Sequence, residues 1–104
     1  MAIKGILREE LENSLKMKAD YERELAKLPR GSLARRRIKG GYYYYLIYRD
    51  HGKVVSEYKG KVSDSLVRKY SEAKLYRAKY RRLLSRIKKE IKFLKGALRG
   101  KESI

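Results

Sequence analysis

Residues 34–60 of the chain read ARRRIKGGYYYYLIYRDHGKVVSEYKG. Two interruptions, Gly40-Gly41 and Asp50-His51-Gly52, divide this stretch into three runs rich in strand-forming residues, and both are typical of tight turns. The pattern predicts a three-stranded antiparallel meander with strands over 33–39, 42–49 and 54–59. Because a sheet of three strands needs a covering element on one face, the flanking segments decide the rest of the fold.

The segment before the sheet has the period of a helix. Apolar side chains recur at steps that keep them near one helix face, namely Leu7, Leu11, Leu15, Tyr21, Leu25 and Leu28. A residue that precedes proline disfavours the helical conformation, so the helix should end before Leu28-Pro29. We therefore predict a helix over about 4–27, and its nearly neutral polar surface is typical of a packing element.

The segment after the sheet carries a longer helical pattern. Steps of four and three alternate without a slip through Leu66, Tyr70, Ala73, Arg77, Tyr80, Leu84, Ile87, Ile91, Leu94 and Leu98. This is the heptad seam of a coiled coil, and Arg77 is its one charged member. The pattern predicts a helix over about 64–98, with Ser63, Asp64 and Ser65 as N-cap candidates.

The seam could pack on the first helix, on a second copy of the chain, or on both. A helix of about 24 residues spans roughly 36 Å, whereas the later helix would span about 50 Å, so some seam should stay uncovered. We expect an antiparallel helical hairpin joined through the sheet, with Ile87 to Leu98 as a homodimer contact. The fold class expected for the single domain, 1–104, is α+β, with the sheet over 32–59 between an N-terminal helix and a long basic C-terminal helix.

The chain is strongly basic. Its 29 Lys and Arg residues against 12 Asp and Glu residues give a formal charge of +17, and the net charge is +1 over 1–30, +5 over 31–60 and +11 over 61–104. Such self-repulsion favours a polyanionic partner, either a nucleic acid or an anionic membrane surface. The chain has no Cys, Gln, Thr or Trp, which is typical of a thermophile, but in hyperthermophiles Lys and Glu rise together and leave no such excess of base.

Several classes of protein are not expected. Without cysteine there is no disulfide scaffold and no thiolate metal site. No apolar stretch approaches the roughly 18 residues of a membrane span, and the first residues lack the apolar run of a signal peptide, so we expect a cytoplasmic protein. The single histidine, His51, lies in a predicted turn, and the sequence contains no catalytic or nucleotide-binding motif. We therefore expect a protein that is not an enzyme and that binds no metal, cofactor or small-molecule substrate.

Strand alternation divides the sheet into two faces. In the central strand, Tyr42, Tyr44, Leu46 and Tyr48 share one face, and Tyr43, Tyr45, Ile47 and Arg49 share the other. We expect Tyr43 and Tyr45 to point outward because Arg49 lies on their side. In the first strand, Arg36 lies on the face opposite Arg35 and Arg37, so at least one of the three arginines must face outward.

Both side-chain types that nucleic acids require alternate here. Phosphates need fixed cations, and bases need flat amphipathic side chains. A guanidinium can also fork to a guanine edge. The C-terminal helix adds many cations and few acids, so a phosphate backbone alongside would relieve their repulsion. The predicted contact residues are Arg35, Arg36, Arg37, Lys39, Tyr43, Tyr45, Arg49, Lys53 and Lys59 in the sheet region and Arg81, Arg82, Arg86, Lys88 and Lys89 on the helix.

One third of the chain carries a resemblance. The segment over 28–61, LPRGSLARRRIKGGYYYYLIYRDHGKVVSEYKGK, resembles a recurrent segment of small uncharacterised basic proteins of bacteria and archaea. It is also similar, more loosely, to the three-stranded sheets of some transposases and tyrosine integrases, which bind DNA arms. The resemblance implies a mobile-element or toxin–antitoxin setting and brings no catalytic residues to this chain.

The sequence thus favours a small DNA-binding protein. RNA or a single strand is the nearest alternative, because exposed tyrosines could stack unpaired bases. A second alternative is a protein-interaction module, an antitoxin-like or regulatory partner of an acidic protein. Binding at an anionic membrane surface is a third.

Overall fold

The structure is a computed structural model that describes residues 2–102, with side chains over 3–100. Its elements in chain order are α1 (Ala2–Lys27), β1 (Ser32–Ile38), β2 (Gly41–Asp50), β3 (Lys53–Gly60) and α2 (Asp64–Glu102). The fold is α+β as predicted, and each predicted element is present within a few residues of its predicted bounds. Residues 1, 103 and 104 of the predicted single domain lie outside the described residues.

The chain forms two compact units. The helical unit contains α1 and the part of α2 from Ala78 onward, and the sheet unit covers Leu28–Arg77. The helix α2 therefore contributes to both units, and the single domain stays a prediction. Within the described residues, neither helix is long and apolar enough to cross a membrane.

The core of the helical unit lies between α1 and α2. Leu84, Ile87 and Ile91 form a buried cluster, and Leu11, Tyr21 and Leu25 pack against it. The ring centroids of Tyr21 and Tyr80 are 6.1 Å apart. Tyr21 thus contacts α2 at Tyr80 as well as at the buried cluster, and the antiparallel arrangement of the two helices stays a prediction.

The predicted position of Leu15 on the packing face is wrong. Leu15 is 41% exposed, whereas its neighbour Ser14 is only 3% exposed. One residue turns a helix by about 100°, and Ser14 continues the four-and-three spacing from Leu7 and Leu11. A pattern of apolar residues cannot identify a buried serine, so the prediction assigned Leu15 to the packing face instead of Ser14.

The seam of α2 is core within the chain. Ile87, Ile91, Leu94 and Leu98 are all buried without a second copy. All four lie in the part of α2, from Ala78 onward, that belongs to the same compact unit as α1. The expectation that some of the seam stays uncovered is therefore not met at these four residues, and the homodimer through Ile87 to Leu98 stays a prediction.

The three strands form a meander in the order β1-β2-β3, with both pairs antiparallel. The two hairpin turns are alike, with φ of 48° and 80° at Lys39 and Gly40 and of 50° and 80° at His51 and Gly52. Two successive positive φ values are typical of type I′ turns, whose twist matches that of the strands. The predicted turn at Gly40-Gly41 is therefore wrong by one residue, because Lys39 takes the left-handed conformation and Gly41 begins β2.

The first part of α2 lies against the face of the sheet that carries Leu46 and Tyr48. Arg77 donates a 2.7 Å hydrogen bond to the carbonyl oxygen of Pro29. Glu57 raises the pKa of Lys59 most, and smaller contributions come from Tyr70 of α2 and Tyr48 of the sheet, which therefore lie near this lysine. We name this side of the sheet the inner face and the other side, with Tyr43 and Tyr45, the outer face.

The start of α2 is capped by its own sequence. The side-chain oxygen of Ser63 accepts a 3.1 Å hydrogen bond from the backbone N–H of Leu66. This geometry satisfies one of the free N–H groups at the helix start. It selects Ser63 among the three predicted N-cap candidates.

Candidate nucleic-acid interface

The outer face is basic and aromatic. Strand register places on it Ser32, Ala34, Arg36 and Ile38 from β1, Gly41, Tyr43, Tyr45, Ile47 and Arg49 from β2, and Val54, Ser56 and Tyr58 from β3. The acids of the three strands, Asp50 and Glu57, alternate onto the inner face. Val54 and Tyr58 are 64% and 57% exposed, so helix α2 leaves this side of the sheet open to solvent.

Three tyrosines of the outer face, Tyr43, Tyr45 and Tyr58, form what we name the aromatic cluster. Tyr45 and Tyr58 face each other across the β2–β3 pair, with ring centroids 5.2 Å apart in an edge-to-face arrangement. Tyr43 lies two residues before Tyr45 on the same strand and is half-buried, as Tyr45 is. Tyrosine rings that are not used in the core offer a flat surface with a hydrogen-bonding hydroxyl.

Two cations lie over these rings. The guanidinium carbon of Arg36 is 5.2 Å from the ring centroid of Tyr45, and the ammonium of Lys61 is 5.8 Å from that of Tyr43. A cation–π contact holds the charge in place without neutralising it. The outer face therefore presents fixed positive charge beside aromatic surface.

The structure brings Arg36, Tyr43 and Tyr45 of the predicted set together on the outer face and places beside them Tyr58 and Lys61, which were not in that set. The signal for Tyr58 was present, since counting outward from the His51-Gly52 turn pairs Tyr58 with Tyr45. The position of Lys61 cannot be found by counting along the hairpin, because a bulge between Tyr44 and Tyr45 shifts the β2–β3 register by one residue before Gly60.

The other two arginines of β1, Arg35 and Arg37, lie on the inner face, near the β1–β2 turn. The guanidinium carbon of Arg35 is 4.4 Å from the ring centroid of Tyr42, which is 47% exposed. Arg37 and the turn residue Lys39 are also exposed. The three consecutive arginines are all accessible, but they serve two different faces of the sheet.

The remaining predicted cations of the sheet differ in whether their side chains already have a hydrogen-bond partner. Lys53 is exposed, and Arg49 is exposed with a 3.4 Å hydrogen bond to the carbonyl oxygen of Gly52. Lys59 donates a 2.8 Å hydrogen bond to the carboxylate of Glu57. That hydrogen bond, and the negative charge of Glu57, raise the pKa of Lys59. Its charge is already compensated, which makes it the weakest candidate of the set.

The helical unit carries a second basic surface. Arg81, Lys88, Lys92, Lys95 and Arg99 follow one flank of α2 at steps of seven, four, three and four, and we name them the basic row. All five are exposed, and in the described part of the chain none of their side chains forms a hydrogen bond or an ion pair. The row is about 27 Å long at 1.5 Å per residue.

The predicted helix residues fall on several sides of α2. Arg81 and Lys88 belong to the basic row, Arg82 and Lys89 lie on the side opposite the seam, and Arg86 lies on the other flank. Lys92, Lys95 and Arg99 lie in the same row but were not among the predicted contact residues. The heptad spacing that defines the seam also defines its flanks and could have found them.

The single histidine has no site around it. The His51 ring is almost fully exposed, and its Nδ1 lies 2.9 Å from the carboxylate of Asp50. Among the described residues, no three His, Cys, Asp or Glu side chains come together as a metal site would require.

The chain belongs to a family of proteins that share the Domain of unknown function (DUF6788), whose family model matches residues 7–69. The match includes most of α1, the whole sheet and the first residues of α2. The aromatic cluster thus lies inside the matched part and the basic row beyond it. No curated protein and no solved structure matches the chain.

Proposed function

We propose that this member of the DUF6788 family is a nucleic-acid-binding protein whose ligand is duplex DNA. The observation that carries the proposal is the basic row, five exposed cations along one flank of a helix that form no ion pair with any described side chain. Like charges at helical steps of three and four destabilise a helix by a few tenths of a kcal/mol per pair. A phosphate backbone beside α2 would remove that repulsion and gain free energy through counterion release.

The rigidity of the row favours a duplex. A duplex is stiff and presents its phosphates at regular intervals, so cations fixed on a helix can meet several of them together. A flexible single strand would first have to be ordered along the helix, which costs conformational entropy. A small sheet that carries Arg36 can in addition enter a major groove, where a guanidinium pairs with guanine.

The aromatic cluster supports a second candidate, an RNA or single-strand binder. Exposed tyrosines on a sheet are a recurrent means of stacking unpaired bases. A third candidate, a protein-interaction module, draws support from Phe93, which is 70% exposed on α2. An interface centred on aromatic residues should lose little affinity as salt rises, whereas phosphate binding should lose much.

The test is a titration of labelled duplex DNA, single-stranded DNA and RNA across a salt series. We expect the duplex to be bound most tightly, with log affinity falling linearly against log salt. The triple variant Lys88→Gln, Lys92→Gln and Lys95→Gln should reduce the slope by about three, since each phosphate contact contributes about 0.9.

The matched control is the triple variant Lys16→Gln, Lys18→Gln and Lys27→Gln, which removes the same charge from α1. It should leave the slope nearly unchanged. Equal losses from both triple variants would mean that only net charge matters. Salt-independent binding to all three nucleic acids would refute the proposal and favour a protein partner.

A further inference from the structure

We infer that the outer face of the sheet binds unpaired bases, so that the preferred ligand is a duplex with an adjoining single-stranded stretch. The inference rests on the proposed function and deepens it. It assigns the base contacts to the aromatic cluster, separately from the phosphate contacts of the basic row.

The first argument is the exposure of the rings. Tyr43 and Tyr45 lie on the central strand and are half-buried, and within the sheet unit the first part of α2 lies against the opposite, inner face. Tyr58 is more than half exposed beside them. Aromatic surface left open on a folded protein usually marks a binding site.

The second argument is the spacing of the rings. Tyr43 and Tyr45 are two residues apart on a strand, which places them about 7 Å apart along the sheet. One nucleotide of an extended strand can span that distance, so successive bases could meet successive rings. The edge-to-face contact of Tyr58 with Tyr45 fixes the orientation of the Tyr45 ring in advance.

The third argument is charge. Arg36 and Lys61 lie over two of the rings, and the acids of the strands are on the inner face. Phosphates that flank a stacked base would meet cations, and no residue of the three described strands places a carboxylate on this face. The complementarity selects a polyanion with aromatic groups, which describes a nucleic acid.

The form of the nucleic acid follows from the geometry of stacking. In a duplex the faces of the bases are covered by their neighbours, and only their edges are open in the grooves. A tyrosine ring can stack on a base only where that base is unpaired or has left the helix. The aromatic cluster therefore requires a single-stranded stretch.

The test compares a blunt DNA duplex with the same duplex extended by a short single-stranded overhang. The chain should bind the overhang duplex about tenfold more tightly, within the range of a base stacked on an aromatic side chain. Tyr58→Leu should remove that difference, so that the overhang duplex and the blunt duplex are bound alike. Tyr58→Phe, which keeps a ring, should retain it.

Tyr42→Leu is the matched control. Tyr42 lies on the same sheet, is exposed to a similar degree and also lies under an arginine, but on the inner face. It should keep the tenfold difference. Circular dichroism should show the same fold for all variants, and 2-aminopurine in the overhang should be quenched by the parent chain and by Tyr58→Phe but not by Tyr58→Leu.

Two results would overturn the inference alone. One is equal affinity for blunt and overhang duplexes with the salt dependence of the basic row intact, and the other is an equal loss for Tyr58→Leu and Tyr42→Leu. If the affinity for both duplexes depends only on the net charge of the variants, the proposed function itself is refuted. The two failures are therefore distinguishable.

Discussion

Arg77 of helix α2 donates a 2.7 Å hydrogen bond to the carbonyl oxygen of Pro29, 48 residues earlier in the chain. A second, longer hydrogen bond of 3.5 Å reaches the carbonyl oxygen of Gly31. Pro29 and Gly31 lie between α1 and β1, and no backbone N–H of the described residues donates to their carbonyl groups. Arg77 thus fixes this connection to α2, which explains a charged residue in an otherwise apolar heptad seam.

Replacing Arg77 by methionine should destabilise the fold. Methionine keeps much of the side-chain length but leaves the two carbonyl groups without their donor. Hydrogen bonds to charged groups contribute roughly 1.5–3 kcal/mol, so we expect the free energy of unfolding to fall by about 2 kcal/mol. Urea denaturation measures it. The control Arg81→Met, on the exposed flank of the same helix, should change it by less than about 0.5 kcal/mol.

Gly31→Ala should be more harmful than Gly40→Ala, although both glycines have positive φ. A Cβ at Gly31 would lie 2.6 Å from the carbonyl oxygen of Ile47, whereas nothing lies within 4 Å of one at Gly40. The left-handed conformation alone costs alanine about 1 kcal/mol. We expect that loss for Gly40→Ala and about 1–3 kcal/mol more for Gly31→Ala. Equal shifts in thermal unfolding would contradict the close contact.

Much of the fold follows from periodicity, which is why it could be predicted. Each strand can be recognised from local alternation bounded by turn residues. The helix α2 can be recognised because its heptad spacing continues without a slip over most of its length. Ser14 and Arg77 were not predictable as packing residues, since a serine and an arginine have no apolar signal. The burial of one and the backbone partners of the other depend on tertiary contacts.

The candidate site was predicted in part for a similar reason. Arg36, Tyr43 and Tyr45 follow from alternation within a strand, which is local. Tyr58 depends on the register of a hairpin, and Lys61 depends on the bulge after Tyr44. The difference between Lys59 and its basic neighbours depends on where the carboxylate of Glu57 lies, which composition does not reveal.

The helical core should respond to truncation of Ile91 but not of Phe93. Ile91 is buried in the cluster that packs on α1, whereas Phe93 is mostly exposed. Isoleucine-to-alanine changes in a core cost about 2–5 kcal/mol, so Ile91→Ala should lower stability by at least about 2 kcal/mol. Phe93→Ala should have little effect. A large loss for Phe93→Ala in dilute solution would show that a partner or second copy covers that side chain.

Arg36 should contribute to nucleic-acid binding beyond its charge. Arg36→Gln should weaken binding about tenfold, while the control Lys16→Gln, which removes one charge from α1, should weaken it by less than about twofold. Arg36→Lys should be intermediate, because lysine keeps the charge but loses the planar stack on Tyr45. Fluorescence anisotropy at fixed salt measures all three. If Arg36→Lys binds as tightly as the parent chain, the stacking of the guanidinium on Tyr45 plays no role in binding.

Glu57→Gln should tighten nucleic-acid binding by releasing Lys59. The carboxylate of Glu57 accepts a hydrogen bond from Lys59 and competes with phosphate for it. We expect a gain of a few fold at low salt that disappears at high salt. The control Glu24→Gln on α1 changes the net charge equally and frees Lys27 from a 3.2 Å ion pair. An equal gain from both variants would assign the effect to net charge.

The same pair predicts how stability depends on pH. The hydrogen bond to Glu57, and then its charge, raise the pKa of Lys59 above its ordinary value of 10.5. A lysine whose pKa is higher in the folded state stabilises that state fully below the ordinary value, and loses this contribution as pH rises through the raised one. Denaturation across pH should therefore show no difference in slope between the parent chain and Lys59→Gln from about pH 7 to 9. Above about pH 10 the parent should lose stability faster, and parallel curves there would contradict the contribution of the pair.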